Sequence, residues 1–288
     1  MPELPEVETI RRQLGRLLKG KTVKDVEIRL VKLVKSPLPA FRRVLPGRRV
    51  IGLERRAKQL IINLDQGWSL LFHLKMTGQL VYRKKRVLRS GGHPIVDGTK
   101  NLPNKYSHII FTFNNGSCLF FNDLRRFGFI KLVKSVDLPE YFIRQKTGPE
   151  PLSPEFTLIF FQSLLKRRQR VRIKQLIMDQ TAIAGLGNIY AVESCFSAGI
   201  RPTRAAGTLT LPQSERLYKS IIKILKTAVA KQGSSVDNYI DAFGQPGHYV
   251  PQLKVYGRVG LACYRCHRKI VTVRLGGRGT AYCPHCQQ

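Results

Sequence analysis

The 288-residue chain has few acidic residues: 18 Asp and Glu stand against 50 Lys and Arg, which gives a formal net charge of +32. It also lacks any run of about 20 apolar residues, so we expect no membrane-spanning segment. The N-terminus has no apolar core of the kind found in secretory signals, which predicts an intracellular protein. No low-complexity tract and no internal repeat is present, and this argues against a disordered or solenoid chain.

The rest of the composition is that of a globular protein, with 43% apolar and 9% aromatic residues. The basic residues are spread along nearly the whole chain and are not collected in one tail. A globular protein with this charge is expected to hold a polyanion, and DNA or RNA is the leading candidate. A ribosome-associated protein and a protein bound to an anionic membrane are the alternatives.

Four of the six cysteines form the pattern C-x2-C-x16-C-x2-C near the C-terminus: Cys263, Cys266, Cys283 and Cys286. Two such pairs supply four thiolates and leave no ligand position for water, which predicts one structural Zn²⁺. Disulfides and an iron–sulfur cluster are the alternatives. Cys118 and Cys195 stand alone in apolar surroundings, and such free thiols fit a reducing compartment.

Apolar residues at helical spacing predict a helix over 5–19, with Gly20 as its C-terminal stop. Short β-rich runs follow up to residue 133, and Asn115-Gly116 between two of them indicates a hairpin. This part is predicted to form an antiparallel sandwich or barrel. The basic stretch 83–105, interrupted by glycine and proline, is predicted to be a long mobile loop.

The pattern predicts an α+β protein of two domains, with a β domain and its N-terminal helix over 1–133 and a linker over 134–153. A helical domain is expected over 154–248, with helices at 155–168, 188–196 and 213–232 and with Ser153 as the N-cap of the first. A zinc-finger hairpin is expected over 249–288.

A glycine turn, AGLGN (184–188), leads into one of these helices. Backbone N–H groups at a helix start bind phosphate, and Asn188 adds a side-chain donor. The basic run RRQRVRIKQL (167–176) lies just before this turn. The two features together favour a phosphate site, although glycine turns between helices are common and a charge run is often only a solvated face.

Two segments, HLKMTGQL (73–80) and NDLRRFGF (122–129), are expected at strand ends. Met76 and Phe127 are either core residues or apolar wedges. Arg125 and Arg126, which precede Phe127 on a basic protein, favour the wedge, because an apolar side chain with a neighbouring arginine can replace a base that has left the DNA stack.

The N-terminus, MPELPEVETI, places proline and acidic residues together. Removal of Met1 would expose the Pro2 amine, and α-amino groups titrate near pH 8, whereas lysine titrates at about 10.4. A neutral amine can attack a sugar C1′, and Glu3 could then move protons. The alternative is ordinary helix-start chemistry, with proline in the first turn and acids at the positive end of the dipole.

These segments occur in the order found in one known family. The motifs are MPELPEVET, RRAK (55–58), HLKMTGQL, DLRRFGF, GPEPL (148–152), IKQLIMDQTAIAGLGNIYAVES, VYGRVG (255–260) and RGTAYCPHCQ (278–287). The chain resembles the formamidopyrimidine-DNA glycosylase family of bacterial repair enzymes over nearly its whole length. The resemblance implies a β-sandwich, a helix–two-turn–helix domain and a zinc-finger hairpin.

The implied activity is excision of oxidised purines, such as 8-oxoguanine and formamidopyrimidines, from duplex DNA, followed by cleavage of the abasic site by β,δ-elimination. By resemblance, Pro2 is the Schiff-base nucleophile and Glu3 the acid/base. Lys58 is the proton donor in β-elimination, and Arg278 assists δ-elimination and grips phosphate.

The implied DNA-contact residues are Met76, Tyr106, Arg125, Phe127, Arg170, Lys174 and Asn188. Residues 233–249 match a mobile loop that covers the extruded base. The resemblance also implies one structural zinc and no redox or nucleotide cofactor. The protein is expected to be a monomer that binds damaged double-stranded DNA and no membrane, and to be located in the cytoplasm, at the nucleoid.

Tyr106 and Leu124 depart from the family, which often has histidine and proline there, and the stretch 83–105 is longer than usual.

Two rival hypotheses remain. An endonuclease VIII-type enzyme would act on oxidised pyrimidines, but Leu4 and EVET favour the purine branch. A non-catalytic DNA-binding relative would keep the scaffold without the chemistry. The intact set Pro2, Glu3, Lys58 and Arg278 argues against it, although only a covalent trapping experiment excludes it.

Overall fold

The computed structural model describes residues 1–95, 98–235, 241, 245 and 247–288. The chain divides into two compact units. The first consists of Met1–Phe142 with Lys231–His248, and the second of Ile143–Ala230 with Tyr249–Gln288.

The first unit opens with helix α1 (Leu4–Leu18), whose start is fixed by a capping box between Glu3 and Glu6, with Pro5 in the first turn. Its buried stripe, which includes Val7 and Leu14, faces the core. The predicted helix over 5–19 is therefore confirmed to within one residue.

Two antiparallel sheets follow. The five-stranded sheet has the order β1-β7-β8-β5-β6 and the four-stranded sheet the order β2-β3-β4-β9. The strands are β1 (Val23–Ile28), β2 (Val50–Arg56), β3 (Gln59–Leu64), β4 (Trp68–His73), β5 (Gly78–Lys84), β6 (Val87–Gly92), β7 (Ser107–Phe113), β8 (Cys118–Asp123) and β9 (Phe129–Lys134).

The two sheets share one apolar core, so the unit is a sandwich and not a barrel. The Phe72 ring of the smaller sheet lies 6.0 Å from that of Phe111 and 5.9 Å from that of Phe121, both in the larger sheet. Helix α2 (Leu38–Val44) adds Phe41 to this core. The hairpin at Asn115-Gly116 is confirmed, and Gly116 has the positive φ of 74° that its turn needs.

The prediction of a loop throughout 83–105 is wrong for its first part. Residues Val87–Gly92 form β6, which pairs with β5 across a tight turn at Lys85. Half of this strand is Ser90, Gly91 and Gly92, which give no alternating apolar pattern, and the turn uses Lys85 at a φ of 51° where a sequence signal would be Asn or Gly. Strand pairing supplies the order that local sequence does not indicate.

In the second unit the three helices predicted from sequence are confirmed, with two shifted starts: the first begins at Leu158 and the last at Leu211. The helices are α3 (Leu138–Arg144), which begins in the first unit, α4 (Leu158–Arg167), α5 (Ile173–Met178), α6 (Asn188–Ala198) and α7 (Leu211–Ala230). Short 3-10 turns lie at Val31–Leu33 and Ser135–Asp137 in the first unit, and at Ala206–Thr208 and Val250–Gln252 in the second.

The N-cap of α4 is Thr157 and not Ser153. The Thr157 side chain accepts the Phe160 N–H at 3.1 Å, while the Ser153 hydroxyl donates to the Glu150 carbonyl in a preceding turn. The hydroxyl of Ser153 is thus used before the helix begins.

A two-stranded hairpin, β10 (Val271–Leu275) and β11 (Arg278–Tyr282), completes the chain. Among the described residues, no helix is both long and apolar enough to cross a membrane.

Candidate functional site

The N-terminal segment is buried and held at two points by one carboxylate. Pro2 and Glu3 are both buried at the start of α1. Glu6 Oε2 accepts the Glu3 N–H at 2.8 Å, and its Oε1 accepts the Ser234 N–H at 2.8 Å. Hydrogen bonds to an ionised carboxylate are strong, so Glu6 limits fraying of the terminus. Sequence analysis considered the acids of this segment only at the helix start, apart from Glu3, and missed the contact with Ser234.

Lys58 is buried in the tight turn between β2 and β3, where Ala57 has a positive φ of 55°. The direction of β2 along α1 follows from two contacts. Arg11 Nη1 donates to the Leu53 carbonyl at 3.3 Å, and Arg55 Nε donates to Glu8 at 3.3 Å. As β2 advances, its partners move back along the helix, so the turn with Lys58 points toward the end of α1 that carries Pro2 and Glu3.

Glu8 fastens this hairpin to α1. Burial of its carboxylate acts to raise the pKa, but hydrogen bonds from Arg11 and Arg12 and the charge of Arg55 outweigh burial and lower the pKa below its usual range. Arg55 in turn donates from Nη1 to the Ala57 carbonyl at 2.9 Å, inside the turn. One carboxylate thus stabilises the backbone next to Lys58.

His73, which sequence analysis did not single out, lies beside this turn. It ends β4 opposite Gln59, and its Nδ1 accepts the Lys75 N–H at 3.1 Å. Burial, together with the charges of Lys75 and Lys58, lowers the His73 pKa to about 3. The imidazole is therefore neutral at physiological pH and can serve as an acceptor.

The structure brings together three of the predicted wedge residues. Arg125 Nη1 donates to Met76 Sδ at 3.0 Å, and the Arg125 guanidinium lies 4.8 Å from the centre of the Phe127 ring. Met76 is 39% and Phe127 56% exposed, so neither belongs to the core. We name this exposed set, Met76, Arg125 and Phe127, the wedge cluster. The interpretation of Met76 and Phe127 as ordinary core residues does not hold.

Tyr106 lies at the same end of the larger sheet. Its carbonyl accepts the Asp123 N–H at 3.1 Å, and Lys105 Nζ lies 5.3 Å from its ring centre. The backbone of Tyr106 is thus joined to the strand end from which the wedge cluster projects.

The predicted loop 233–249 lies partly outside the described residues, which there are 233–235, 241, 245 and 247–249. Gln13 of α1 donates to the Asp241 carboxylate at 2.7 Å, and Ser234 pairs with His248.

In the second unit, side chains from two helices hold the hairpin that carries Arg278. Lys174 of α5 is buried and donates to Thr280 Oγ1 at 3.0 Å, and Asn188 of α6 donates to the Gly279 carbonyl at 3.1 Å. A Cβ on Gly276 would meet the Gln175 amide at 3.0 Å. Arg278 itself is exposed. Of the basic run before the glycine turn, Lys174 is therefore packed against the hairpin, whereas the four arginines of the run are exposed.

Arg170 is exposed in the turn between α4 and α5. The glycine turn before α6 is ordered by Gln180, which donates to the Leu186 carbonyl at 2.7 Å and accepts the Gly185 N–H at 2.9 Å. Gly185 has a positive φ of 96°, a conformation that glycine adopts without strain.

The four clustered cysteines fit a single metal ion. Their sulfurs all lie within 4.8 Å of one another, with 3.9 Å between Cys263 and Cys286 and 3.5 Å between Cys266 and Cys283. A tetrahedral site with Zn–S bonds of about 2.3 Å separates its sulfurs by about 3.8 Å. A disulfide needs an S–S distance of about 2.05 Å, so the cysteines are not paired.

Family models match three successive parts of the chain. They are the formamidopyrimidine-DNA glycosylase N-terminal domain at residues 1–130, the formamidopyrimidine-DNA glycosylase H2TH domain at 147–239, and the zinc finger found in FPG and IleRS at 260–288. The last match agrees with the four-sulfur cluster, and the cofactor is one structural zinc.

Relatives match over full length. Formamidopyrimidine-DNA glycosylases of Pelotomaculum thermopropionicum and Carboxydothermus hydrogenoformans are 43% and 40% identical, over 100% of this chain and 99% and 100% of theirs. A Lactococcus lactis FPG mutant in complex with Fapy-dG-containing DNA has a TM-score of 0.88 at 33% identity, with both chains covered completely. The predicted α+β fold and the family resemblance are both confirmed, and the chain belongs to the formamidopyrimidine-DNA glycosylase family.

Proposed function

We propose that this chain is a DNA repair enzyme that excises oxidised purines from duplex DNA and then cleaves the strand at the resulting abasic site. The observation that carries the proposal is the buried, anchored Pro2-Glu3 segment, toward which the turn with Lys58 points. The family to which the chain belongs is named for this glycosylase activity.

The first step needs a free amine, which Pro2 provides once Met1 is removed. The nitrogen lone pair attacks C1′ of the damaged nucleotide, the C1′–base bond breaks, and its electron pair leaves with the base, which takes up a proton. The ammonium then loses its proton, the C1′–O4′ bond opens, and a protonated Glu3 gives its proton to O4′. The product is an iminium between Pro2 and the opened sugar.

Strand cleavage follows from the iminium. Loss of a C2′ proton breaks the C3′–O3′ bond, so the 3′ phosphate leaves, and Lys58 supplies a proton in this step. A second elimination removes a C4′ proton and breaks the C5′–O5′ bond, while Arg278 holds the departing phosphate. Water then hydrolyses the iminium and returns the free amine of Pro2.

The other predicted residues bind the DNA. We assign the wedge cluster to the gap left by the extruded nucleotide. Tyr106, Arg170 and Asn188 are assigned to the phosphates. Lys174 is buried against Thr280, so its contribution to phosphate binding is to hold the Arg278 hairpin as well as to add positive charge there.

The four cysteines Cys263, Cys266, Cys283 and Cys286 are the proposed zinc ligands. The ion has a structural role: it stabilises a hairpin too small to form a core of its own. No chemical step passes through the metal.

The domains proposed for this activity are those expected from sequence: a catalytic domain at 1–133, a linker at 134–153, a helix–two-turn–helix domain at 154–248 and a zinc finger at 249–288. The enzyme acts as a monomer in the bacterial cytoplasm, at the nucleoid. Support for this location comes from the DNA substrate and from the unpaired thiols Cys118 and Cys195.

An excision assay on matched duplexes tests the proposal. Duplexes with 8-oxoguanine opposite cytosine should lose the modified base and be cleaved, and thymine glycol duplexes should react more slowly. Glu3→Gln should abolish both activities. Glu27→Gln, which changes an exposed glutamate paired with Arg29 on β1, is the matched control and should leave both intact. A preference for thymine glycol would overturn the substrate assignment.

The oxidised-pyrimidine alternative keeps one specific observation in its favour. A wild-type Lactococcus lactis Fpg (MutM), with a TM-score of 0.87 and 33% identity to this chain, has been solved in complex with DNA containing an oxidised pyrimidine. The thymine glycol arm of the assay measures directly how far such substrates are processed here.

Salt dependence gives an independent check of DNA as the partner. Because phosphate contacts release counterions, binding should weaken steeply with rising salt, with a slope of about −0.9 per phosphate contact on a log–log plot. A flat response would contradict a DNA-bound role for this strongly basic chain.

A further inference from the structure

Two short loops of the first unit, which we name the Met76 loop (74–77) and the Arg125 loop (124–128), carry the wedge cluster. They connect β4 to β5 and β8 to β9, so each loop crosses from one sheet to the other. A side chain that fills a gap in the base stack needs both loops in one fixed relation, because misplacement by about 1 Å at a functional site is costly.

A single buried carboxylate joins the two loops. Asp123 Oδ1 accepts the hydroxyl of Thr77 at 2.5 Å and the Arg125 N–H at 3.2 Å, and Oδ2 accepts the Gly128 N–H at 2.7 Å. Asp123 is completely buried, and its three donors are neutral. The carboxylate therefore binds the Met76 loop through Thr77 and both ends of the Arg125 loop through backbone groups.

Thr77 takes part in two hydrogen bonds that link the two loops. Besides donating to Asp123, its oxygen accepts the Arg125 N–H at 2.9 Å. The Arg125 amide is thus shared between the two side chains, and its own guanidinium reaches back to Met76. The hydroxyl is needed in both roles, which a valine of the same shape cannot fill.

The backbone at this point allows little alternative packing. A Cβ on Gly128 would lie 3.0 Å from Asp123 Oδ2 and 2.7 Å from the Phe121 ring. A Cβ on Gly78, directly after Thr77, would lie 2.4 Å from the Leu74 carbonyl oxygen. Both loops approach their neighbours as closely as glycine permits, and the carboxylate sits between them.

We infer that Asp123 and Thr77 are positioning residues for base extrusion: they hold the wedge cluster in register, without touching DNA themselves. The inference rests on the proposed glycosylase function. It predicts a defect in the step that opens the duplex, and no defect in the chemistry at Pro2.

The test uses the full-length enzyme and two isosteric changes, Asp123→Asn and Thr77→Val. Asparagine has one acceptor oxygen where aspartate has two, so one of the three donors faces an NH2 group. Loss of one hydrogen bond to a charged group predicts an about tenfold slower excision of 8-oxoguanine from duplex DNA. Thr77→Ser keeps the hydroxyl and should restore the rate.

A second substrate distinguishes a positioning role of Asp123 and Thr77 from a general loss of enzyme activity. Cleavage of a single-stranded abasic oligonucleotide needs the amine chemistry but no base extrusion, so both variants should cleave it at the wild-type rate. A 2-aminopurine opposite the lesion reports wedge insertion, and its fluorescence change should be slowed by the same factor as excision. Because the two residues share one network, the double variant should lose little more than either single variant.

Ser36→Ala is the control for stability. Its hydroxyl donates to the Leu132 carbonyl at 3.1 Å and accepts the Leu132 N–H at 2.8 Å, away from both loops. It should lower the unfolding midpoint without changing the fluorescence signal. Equal loss on single-stranded and duplex substrates, or unchanged duplex excision, would overturn the inference. A wild-type enzyme inactive on all substrates would instead refute the proposed function.

Discussion

Two arginines project from exposed loops in this molecule, and the two loops are held by different chemistry. The Arg125 loop is held by protein groups alone, through the buried carboxylate of Asp123 and the hydroxyl of Thr77. The hairpin with Arg278 lies next to the cysteine cluster and is held by a metal site and by Lys174 and Asn188.

The difference follows from the packing available to each loop. The Arg125 loop extends from a sandwich with a large shared core, so a few buried hydrogen bonds suffice to fix it. The hairpin has only a small apolar cluster, much of which consists of the cysteines and their neighbours. Where the core is small, a metal supplies the missing stabilisation. Zinc removal should therefore disrupt the hairpin with Arg278 and leave the Arg125 loop intact, whereas loss of buried hydrogen bonds should disrupt the Arg125 loop.

Zinc removal should have the largest effect, and this effect should be confined to the hairpin with Arg278. A structural zinc contributes on the order of 10 kcal/mol to its module, so chelation or Cys266→Ala should unfold the hairpin. We expect more than 100-fold weaker DNA binding and fast hydrogen exchange over 263–288, with unchanged exchange in 1–130. Cys118→Ala is the matched thiol control. Slow exchange over 263–288 in the zinc-free protein would show that the metal is dispensable.

A substitution in the wedge cluster should weaken DNA binding without changing the stability of the fold. Phe127→Ala should lower duplex excision about tenfold, since stacking of one aromatic side chain on a base contributes about 1–3 kcal/mol. Leu124, 48% exposed in the same loop against 56% for Phe127, is the matched site. Leu124→Ala should leave excision nearly unchanged. Equal losses for the two variants would show that general loop apolarity, and not a specific wedge, is what matters.

Thr280→Val tests the hydrogen bond by which Lys174 holds the hairpin. It removes the hydroxyl that accepts the Lys174 ammonium, at an expected cost of about 1–3 kcal/mol in the free energy of unfolding by urea. Thr272 lies on the same hairpin with an exposed side chain, so Thr272→Val should change stability by less than about 0.5 kcal/mol. A similar result for both would mean that the buried lysine does not depend on this contact.

Acid should weaken the Met76 loop through His73. Its pKa is about 3 in the fold and about 6.5 in the unfolded chain, so protonation favours unfolding. Its contribution is fully present above about pH 6.5 and is lost as the pH falls toward 3, at no more than about 1.4 kcal/mol per pH unit.

The measurement is the urea midpoint between pH 7.5 and 5.5 in wild type and in His73→Gln. The variant should show a flatter dependence, whereas His248→Gln, at an exposed histidine, should follow the wild type. A slope unaffected by His73→Gln would contradict a half-buried neutral imidazole.

Much of this could be predicted from the sequence, because local signals and tertiary structure agree. Asn115-Gly116 identifies a hairpin, the spacing of four cysteines identifies the metal site, and helical periodicity locates α1. Strand β6 could not be predicted, because its second half is Ser90, Gly91 and Gly92, which give no alternating apolar pattern, and its order comes from pairing with β5.

The functional residues that sequence analysis missed act through contacts distant in the chain. Asp123 meets Thr77 across 46 positions, and Glu6 meets Ser234 across 228. Lys174 belonged to a basic run that suggested exposed phosphate contacts, yet it is buried against Thr280. Partners of this kind are fixed by the fold, and a linear pattern does not encode them.

The central claim is that the amine of Pro2 forms the covalent bond with damaged DNA. Borohydride reduction during reaction with an 8-oxoguanine duplex should trap one protein–DNA adduct, and peptide mapping should locate it on a fragment that begins with Pro2, with Met1 removed. An adduct on Lys58 or another lysine, or no adduct while excision proceeds, would contradict the account.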